Sequence, residues 1–248
     1  MRVFGVHRCW RVSPTVGHVR VVFLHALPLD SRMWANQLAS VAPLPTLTPN
    51  LYPLGRSLDE WADGVIDQID GDEVILVGCS IGGSCALHIA ERRPEQTAGV
   101  VLVGAKAAHR PQPELCSEAV ALLQIKGLEA AWSTLWAPLF SAGCNPAIVS
   151  TAHSIMMDQT TPDVIRGMQA FHARRDLSRF LRSWDKPIVI IGGEHDRSPA
   201  PETMMSEATN ARHGAFHLIN DSGHYVSLEQ PEPFNRLLRV AVDSNVET

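Results

Sequence analysis

Ser80 stands in the run Gly78-Cys79-Ser80-Ile81-Gly82-Gly83, with glycine two places before it and two places after it. The apolar stretch Val74-Ile75-Leu76-Val77 precedes this run, and Ala86-Leu87-His88-Ile89-Ala90 follows it with the composition of a buried helix. A sharp strand-to-helix turn of this kind is a nucleophile elbow. It holds the serine in a strained backbone conformation, so the flanking positions must be too small to strike neighbouring backbone. It also sets the serine at a helix start, where free N–H groups and the helix dipole favour developing negative charge. Glycine-rich turns also arise by chance and at phosphate sites. Here the P-loop lysine is missing and the order is not G-x-G-x-x-G. Nucleophilic chemistry at Ser80 is therefore the stronger reading, with the N–H of Ile81 as one donor to an oxyanion.

A serine hydroxyl needs a base, and the base needs a third group to orient it. Downstream, Ile188-Val189-Ile190-Ile191 runs into Gly192-Gly193-Glu194-His195-Asp196, and Phe216-His217-Leu218-Ile219 runs into Asn220-Asp221-Ser222-Gly223-His224. Both segments place acid and base candidates just past a strand's C-terminal end, where ligands bind in open α/β sheets. The residues alone leave Glu194, His195, Asp196, Asp221 and His224 in contention. No other histidine spacing suggests a metal, since H-E-x-x-H and its variants are missing. The five cysteines, Cys9, Cys79, Cys85, Cys116 and Cys144, include no C-x-x-C pair. Neither a disulfide framework nor a zinc site is expected, and most of the five are expected to be small buried residues.

These groups must be held by a scaffold, and the hydrophobic pattern supplies one. Runs 19–24, 73–78, 99–103 and 187–191 are nearly continuous in apolar residues, as strands buried on both faces of a parallel sheet are. A fifth strand is expected over 215–219. Helices are expected over 31–41, after Asp30, and through Trp61, Val65 and Ile69 behind a Ser57 or Asp59 cap. Further helices are expected over 83–93, 201–211 and 233–242. The alternation predicts a doubly wound α/β fold. It stops over 105–176, where four helix-like stretches (114–126, 127–140, 146–157 and 162–174) follow one another, punctuated by Pro111, Pro113, Gly143, Pro146 and Pro162. This predicts a core of residues 1–104 and 175–248 with a helical cap, 105–174, inserted in it.

In this order and spacing the chain resembles the α/β-hydrolase superfamily over nearly its whole length. The resemblance implies that the acid is the last residue of Gly193-Glu194-His195-Asp196 and the base the histidine of Gly223-His224. The run Glu229-Gln230-Pro231-Glu232-Pro233-Phe234 is similar to the family's entry into its final helix. His25-Ala26-Leu27-Pro28-Leu29-Asp30 resembles the loop that supplies the second oxyanion donor, which by that match is the N–H of Leu27. Ala26 departs from the family's glycine and fits only if its φ is negative or the cost of a positive φ is tolerated. The implied activity is acyl transfer to water: Ser80 attacks, His224 takes the proton, Asp196 fixes the imidazole, and no metal or organic cofactor takes part.

Composition narrows the partners. The chain has 248 residues, enough for one α/β domain with an insertion, and a formal net charge of −5. No basic face for nucleic acid is visible, and Arg92–Arg93 and Arg174–Arg175 are expected on solvated faces. No apolar run reaches the length of a membrane span. Residues 1–20 scatter Arg2, His7, Arg8, Arg11 and His18 among apolar positions, unlike a signal peptide, so a cytoplasmic location is expected. The cap is rich in large apolar side chains, among them Leu139, Met156, Met157 and Phe171. Leu29, Trp132, Trp136, Phe140 and Met168 are the expected substrate contacts, for a small apolar ester or lactone. The same triad would serve a C–C bond hydrolase, a perhydrolase or an acyltransferase. A ligand sensor that signals through its cap is the alternative of another class.

Overall fold

The computed structural model describes residues 3–4 and 19–243. Cys9, and most of the N-terminal segment read above as unlike a signal peptide, lie outside the described residues. Among the described residues seven strands form one sheet, β1 (Val3–Phe4), β2 (Val19–Leu24), β3 (Thr46–Leu47), β4 (Glu73–Cys79), β5 (Thr97–Val103), β6 (Ile188–Gly193) and β7 (Gly214–Ile219), in the order β1-β7-β6-β5-β4-β2-β3. From β2 to β7 the pairing is parallel, in registers such as Val22↔Leu76, Leu76↔Val100 and Leu102↔Ile190; β1 runs antiparallel to β7. This is the α/β-hydrolase fold.

The strand period of two divides the apolar residues between two layers. Val21, Phe23, Ile75, Val77, Val101 and Val103 face Trp34, Phe234 and Leu238 on one side. Val22, Leu24, Leu76, Val100, Leu102 and Ile190 face Trp61, Val65, Leu87 and Met204 on the other. The helices of this second layer are α1 (Leu58–Ile69), α2 (Ile81–Arg92) and, beyond the cap, α7 (Pro201–Asn210). Ser57 caps α1, its side chain accepting from the Glu60 N–H at 3.2 Å. All seven residues of β5 are buried, which is why its sequence carries no polar alternation.

Between β5 and β6 the chain is helical: α3 (Pro113–Ala131), α4 (Pro146–Met157), α5 (Thr161–Ala173) and the short α6 (Ser178–Ser183). The α3 segment breaks at Gly127, at φ 78° and ψ −177°, a conformation that suits glycine. It continues as a π-type turn over Trp132–Trp136 and a 3-10 turn over Ala137–Leu139. The chain closes with α8 (Val226–Glu229) and α9 (Pro231–Asp243). The helix expected over 31–41 is instead two 3-10 turns, Ser31–Trp34 and Leu38–Val41, joined by bonds such as Gln37 N–H to Trp34 O at 2.9 Å. The Asp30 carboxylate caps the first and also accepts from Arg32 and Gln159, which ties this loop to the cap. Arg32 also reaches Asp158 at 2.6 Å.

Candidate active site

Ser80 lies between β4 and α2 at φ 53° and ψ −117°, a left-handed conformation that costs a non-glycine residue about 1–3 kcal/mol. Three backbone bonds hold it: its N–H donates to Val103 O at 2.9 Å, and its carbonyl accepts from Gly83 at 3.0 Å and Ser84 at 3.2 Å. A Cβ at Gly78 would strike the Gly82 carbonyl, and one at Gly82 would strike the carbonyls of Leu24 and His25. The second contact brings the end of β2, and the loop after it, against the start of α2. Ser80 is half-buried and open to a cavity, whereas its neighbours Cys79 and Ile81 are fully buried. Burial, and secondarily the charge of Asp196, pushes the Cys79 thiol far above its usual range, so it offers no thiolate.

Asp196 follows β6 and His224 follows β7, and their side chains meet: Asp196 Oδ2 is 3.0 Å from His224 Nδ1. Both residues are 3% exposed. Asp196 Oδ1 accepts from the Ser198 N–H at 2.8 Å. The geometry fits an imidazole that donates from Nδ1 to the carboxylate and keeps Nε2 for another partner. His224 lines the same cavity as Ser80 and Leu27. The other candidates stay outside. Glu194, His195 and Asp221 are exposed, with possible ligand atoms within 4.8 Å of one another. That cluster could meet a cation only at the surface, and none of its members lines the cavity.

The loop after β2 is pinned on both sides. Tyr52 Oη donates to Leu29 O at 2.9 Å, and Tyr225 Oη donates to Leu27 O at 2.9 Å. His25 Nε2 accepts from the Leu51 N–H at 2.9 Å, and burial lowers its pKa to about 4, so the ring is neutral in the fold. Ala26 is not among the residues with positive φ, which removes the objection raised by its side chain. The N–H of Leu27 donates to none of the described residues. The N–H of Ile81 opens α2, where no intrahelical acceptor exists. Both donors are thus free for a ligand.

Three partners were missing from the sequence reading. Gly104, at φ 53°, abuts the Asp196–His224 pair, and a Cβ there would lie 3.0 Å from His224 Nδ1 and 3.1 Å from Asp196 Oδ2. The buried Glu229 carboxylate accepts from Gly223 N–H at 3.1 Å and Ser141 N–H at 2.9 Å, joining the His224 loop to the cap. Tyr225 packs its ring edge-on to His224, with centroids 5.2 Å apart. Only the Glu229-Gln230-Pro231 run carried a sequence signal for any of these.

The cavity at Ser80 has a volume of about 380 Å³ and is lined largely by apolar cap residues, including Leu122, Trp136, Leu139, Met168 and Phe171. Of the residues expected to contact substrate, Trp136 and Met168 line this cavity. Leu29, Trp132 and Phe140 do not line it. Leu29 is fully buried in the core. Trp132 packs on His153 and Phe140, and Phe140 on Tyr225 at 4.7 Å. A second, polar cavity of about 630 Å³ shares Ser80, Phe171 and Ser198 with the first. The expected solvation of the paired arginines also needs correction: Arg174 is 9% exposed and lines this second cavity, while Arg175 points outward to Glu91.

The sequence matches the alpha/beta hydrolase family over residues 21–237. A lipase of Mycobacterium tuberculosis, LipV, is 30% identical over 105 residues, a match that spans 38% of this chain and only 39% of the lipase. A thermophilic esterase from Thermogutta terrifontis superposes with a TM-score of 0.85 at 20% identity, covering 91% of this chain and 89% of its own. The enol-lactonase from Burkholderia xenovorans superposes with a TM-score of 0.79 at 18% identity, covering 99% and 95%. At these identities the two structures speak for the fold alone. No helix among the described residues is long and apolar enough to cross a membrane.

Proposed function

We propose, for a chain that belongs to the alpha/beta hydrolase family, that it is a serine hydrolase cleaving a carboxylic ester or lactone through an acyl-enzyme on Ser80. The observation that carries this reading is the buried Asp196–His224 pair opening onto the cavity that also holds the strained Ser80. In this reading His224 Nε2 takes the Ser80 proton as Oγ attacks the carbonyl, and Asp196 stabilises the imidazolium. The N–H groups of Leu27 and Ile81 receive the oxyanion, each contributing about 3 kcal/mol to the transition state. His224 then protonates the leaving oxygen and activates the water that releases the acid. Residues 105–174 serve as a cap that shapes the substrate cavity on the core of 1–104 and 175–248.

The names of the relatives support this class: a lipase, an esterase and an enol-lactonase. The apolar lining fits small acyl groups. The test is turnover of p-nitrophenyl esters and lactones by wild type and Ser80→Ala. The variant should fold normally and lose about four orders of magnitude or more in kcat. Near-normal turnover by pure Ser80→Ala would overturn the reading. Cleavage of a vinylogous diketone at a carbon–carbon bond, with esters and lactones untouched, would move the reaction to that alternative.

A further inference from the structure

The polar cavity at Ser80 is cationic. Lys106, Arg110, Arg174 and Arg197 line it, with His109 and a single carboxylate, Asp176. Asp176 is engaged elsewhere, its oxygens accepting from the N–H groups of His109 at 3.1 Å and Ser178 at 2.8 Å. Among the described residues none of the four cations stands within 4.0 Å of a carboxylate oxygen. The chain as a whole carries a net charge of −5, so the clustering of cations here runs against its overall balance. Arg175 and Arg92, by contrast, are paired, with Glu91 at 2.7 Å and with Asp59 at 2.8 Å.

Arg174 is the anchor of the group. It is 9% exposed, its guanidinium carbon lies 3.9 Å over the Phe171 ring, and one Nη donates to the Phe171 carbonyl. Its Nε is buried with no acceptor. Burial pulls its pKa down to about 10, so the side chain is charged at neutral pH. A buried guanidinium that meets no carboxylate carries a desolvation cost that a bound anion would offset. Phe171 belongs to both cavities, so the cation is seated on the wall between the apolar arm and the polar arm, which meet at Ser80.

Resting on Ser80 as the nucleophile, we infer that the substrate is a half-acid: an ester or lactone whose reacting carbonyl sits at Ser80, with an apolar portion in one arm and a carboxylate held by Arg174 in the other. Lys106 and Arg197 add positive potential along the polar arm. The reaction then selects for an anionic substituent that a neutral ester lacks.

The test compares p-nitrophenyl butyrate with mono-p-nitrophenyl succinate, which differ by a methyl against a carboxylate at the chain end. A hydrogen bond to a charged group corresponds to about tenfold or more. Wild type should favour the succinate in kcat/KM by about that factor, and Arg174→Gln should remove the preference while Arg174→Lys keeps part of it. Wild type that favours the butyrate, or a preference unchanged in Arg174→Gln, would overturn the inference. Calorimetric binding of monomethyl succinate to Ser80→Ala reads the same site without turnover. Adding Arg174→Gln to that background should weaken binding by about tenfold or more; equal affinity would overturn the inference. If wild type cleaves neither ester, the nucleophile assignment fails by itself, and the binding pair still decides the anion site.

Discussion

The hydroxyl of Tyr225, the residue after His224, donates to the carbonyl of Leu27 at 2.9 Å. One side chain thus couples the loop that carries His224 to the loop that carries the free N–H of Leu27. The peptide that follows the Leu27 N–H is fixed by a bond anchored beside the imidazole. Tyr225→Phe keeps the ring packing against His224 and Phe140 and removes only this bond. It should lower kcat about tenfold with KM little changed, and cost about 1–2 kcal/mol by leaving a buried carbonyl unpaired. Steady-state kinetics and urea unfolding read both effects. An unchanged kcat would show that the oxyanion loop holds its position without Tyr225.

Gly104→Ala places a methyl against the His224–Asp196 pair, 3.0 Å from His224 Nδ1 and 3.1 Å from Asp196 Oδ2, at a φ of 53°. The backbone cost is about 1–2 kcal/mol. The larger effect should be catalytic, because the pair must shift to make room. A loss of about tenfold or more in kcat is expected, in protein that still unfolds cooperatively. Full activity would mean that the His224–Asp196 geometry is not the one used in turnover.

Stability should fall as the pH drops from about 6.5 toward 4. His25 is neutral in the fold down to about 4, whereas in the unfolded chain it takes up a proton near 6.5. In that window the unfolded state binds more protons, so the folded state loses ground as acid is added. The difference amounts to about 3 kcal/mol when the window has been crossed. Urea midpoints at several pH values should show this slope in wild type and a flatter one in His25→Asn. The same slope in both would assign the acid sensitivity to other groups.

The cap should divide between residues that meet substrate and residues that hold the cap together. Trp136→Ala and Met168→Ala should change the preferred length in a p-nitrophenyl ester series, since both line the cavity and each methylene in such a pocket is worth about 1–3 kcal/mol. Trp132→Ala should lower stability and leave the ranking of esters in place, because Trp132 packs on Phe140 and His153. A reordering by Trp132→Ala alone would invert this assignment.

Much of this architecture is legible in local pattern. The runs 19–24 and 187–191 read as buried strands because residues 21–24 and 188–191 are buried at every position, and Gly78 and Gly82 announce the turn because a Cβ at either would strike backbone. What the sequence hides is contact at long range. Arg174 and Arg175 look alike in sequence, yet one is buried at the polar cavity and the other paired at the surface. Trp132 and Trp136, four apart, would share a face of a regular helix, yet only Trp136 lines the cavity. Gly104 and Tyr225 belong to the site only because β5 ends beside β6 and because the chain after His224 turns back toward β2. No periodicity reports that. The short elements β1, β3, α6 and α8 lack the length to show a period at all.

The central claim is that Ser80 forms the covalent intermediate. Its most direct test is labelling with a fluorophosphonate, followed by intact-mass measurement and peptide mapping. Wild type should take up one adduct, located on Ser80 and lost in both Ser80→Ala and His224→Ala. An adduct on another serine, or equal labelling of Ser80→Ala, would contradict the account.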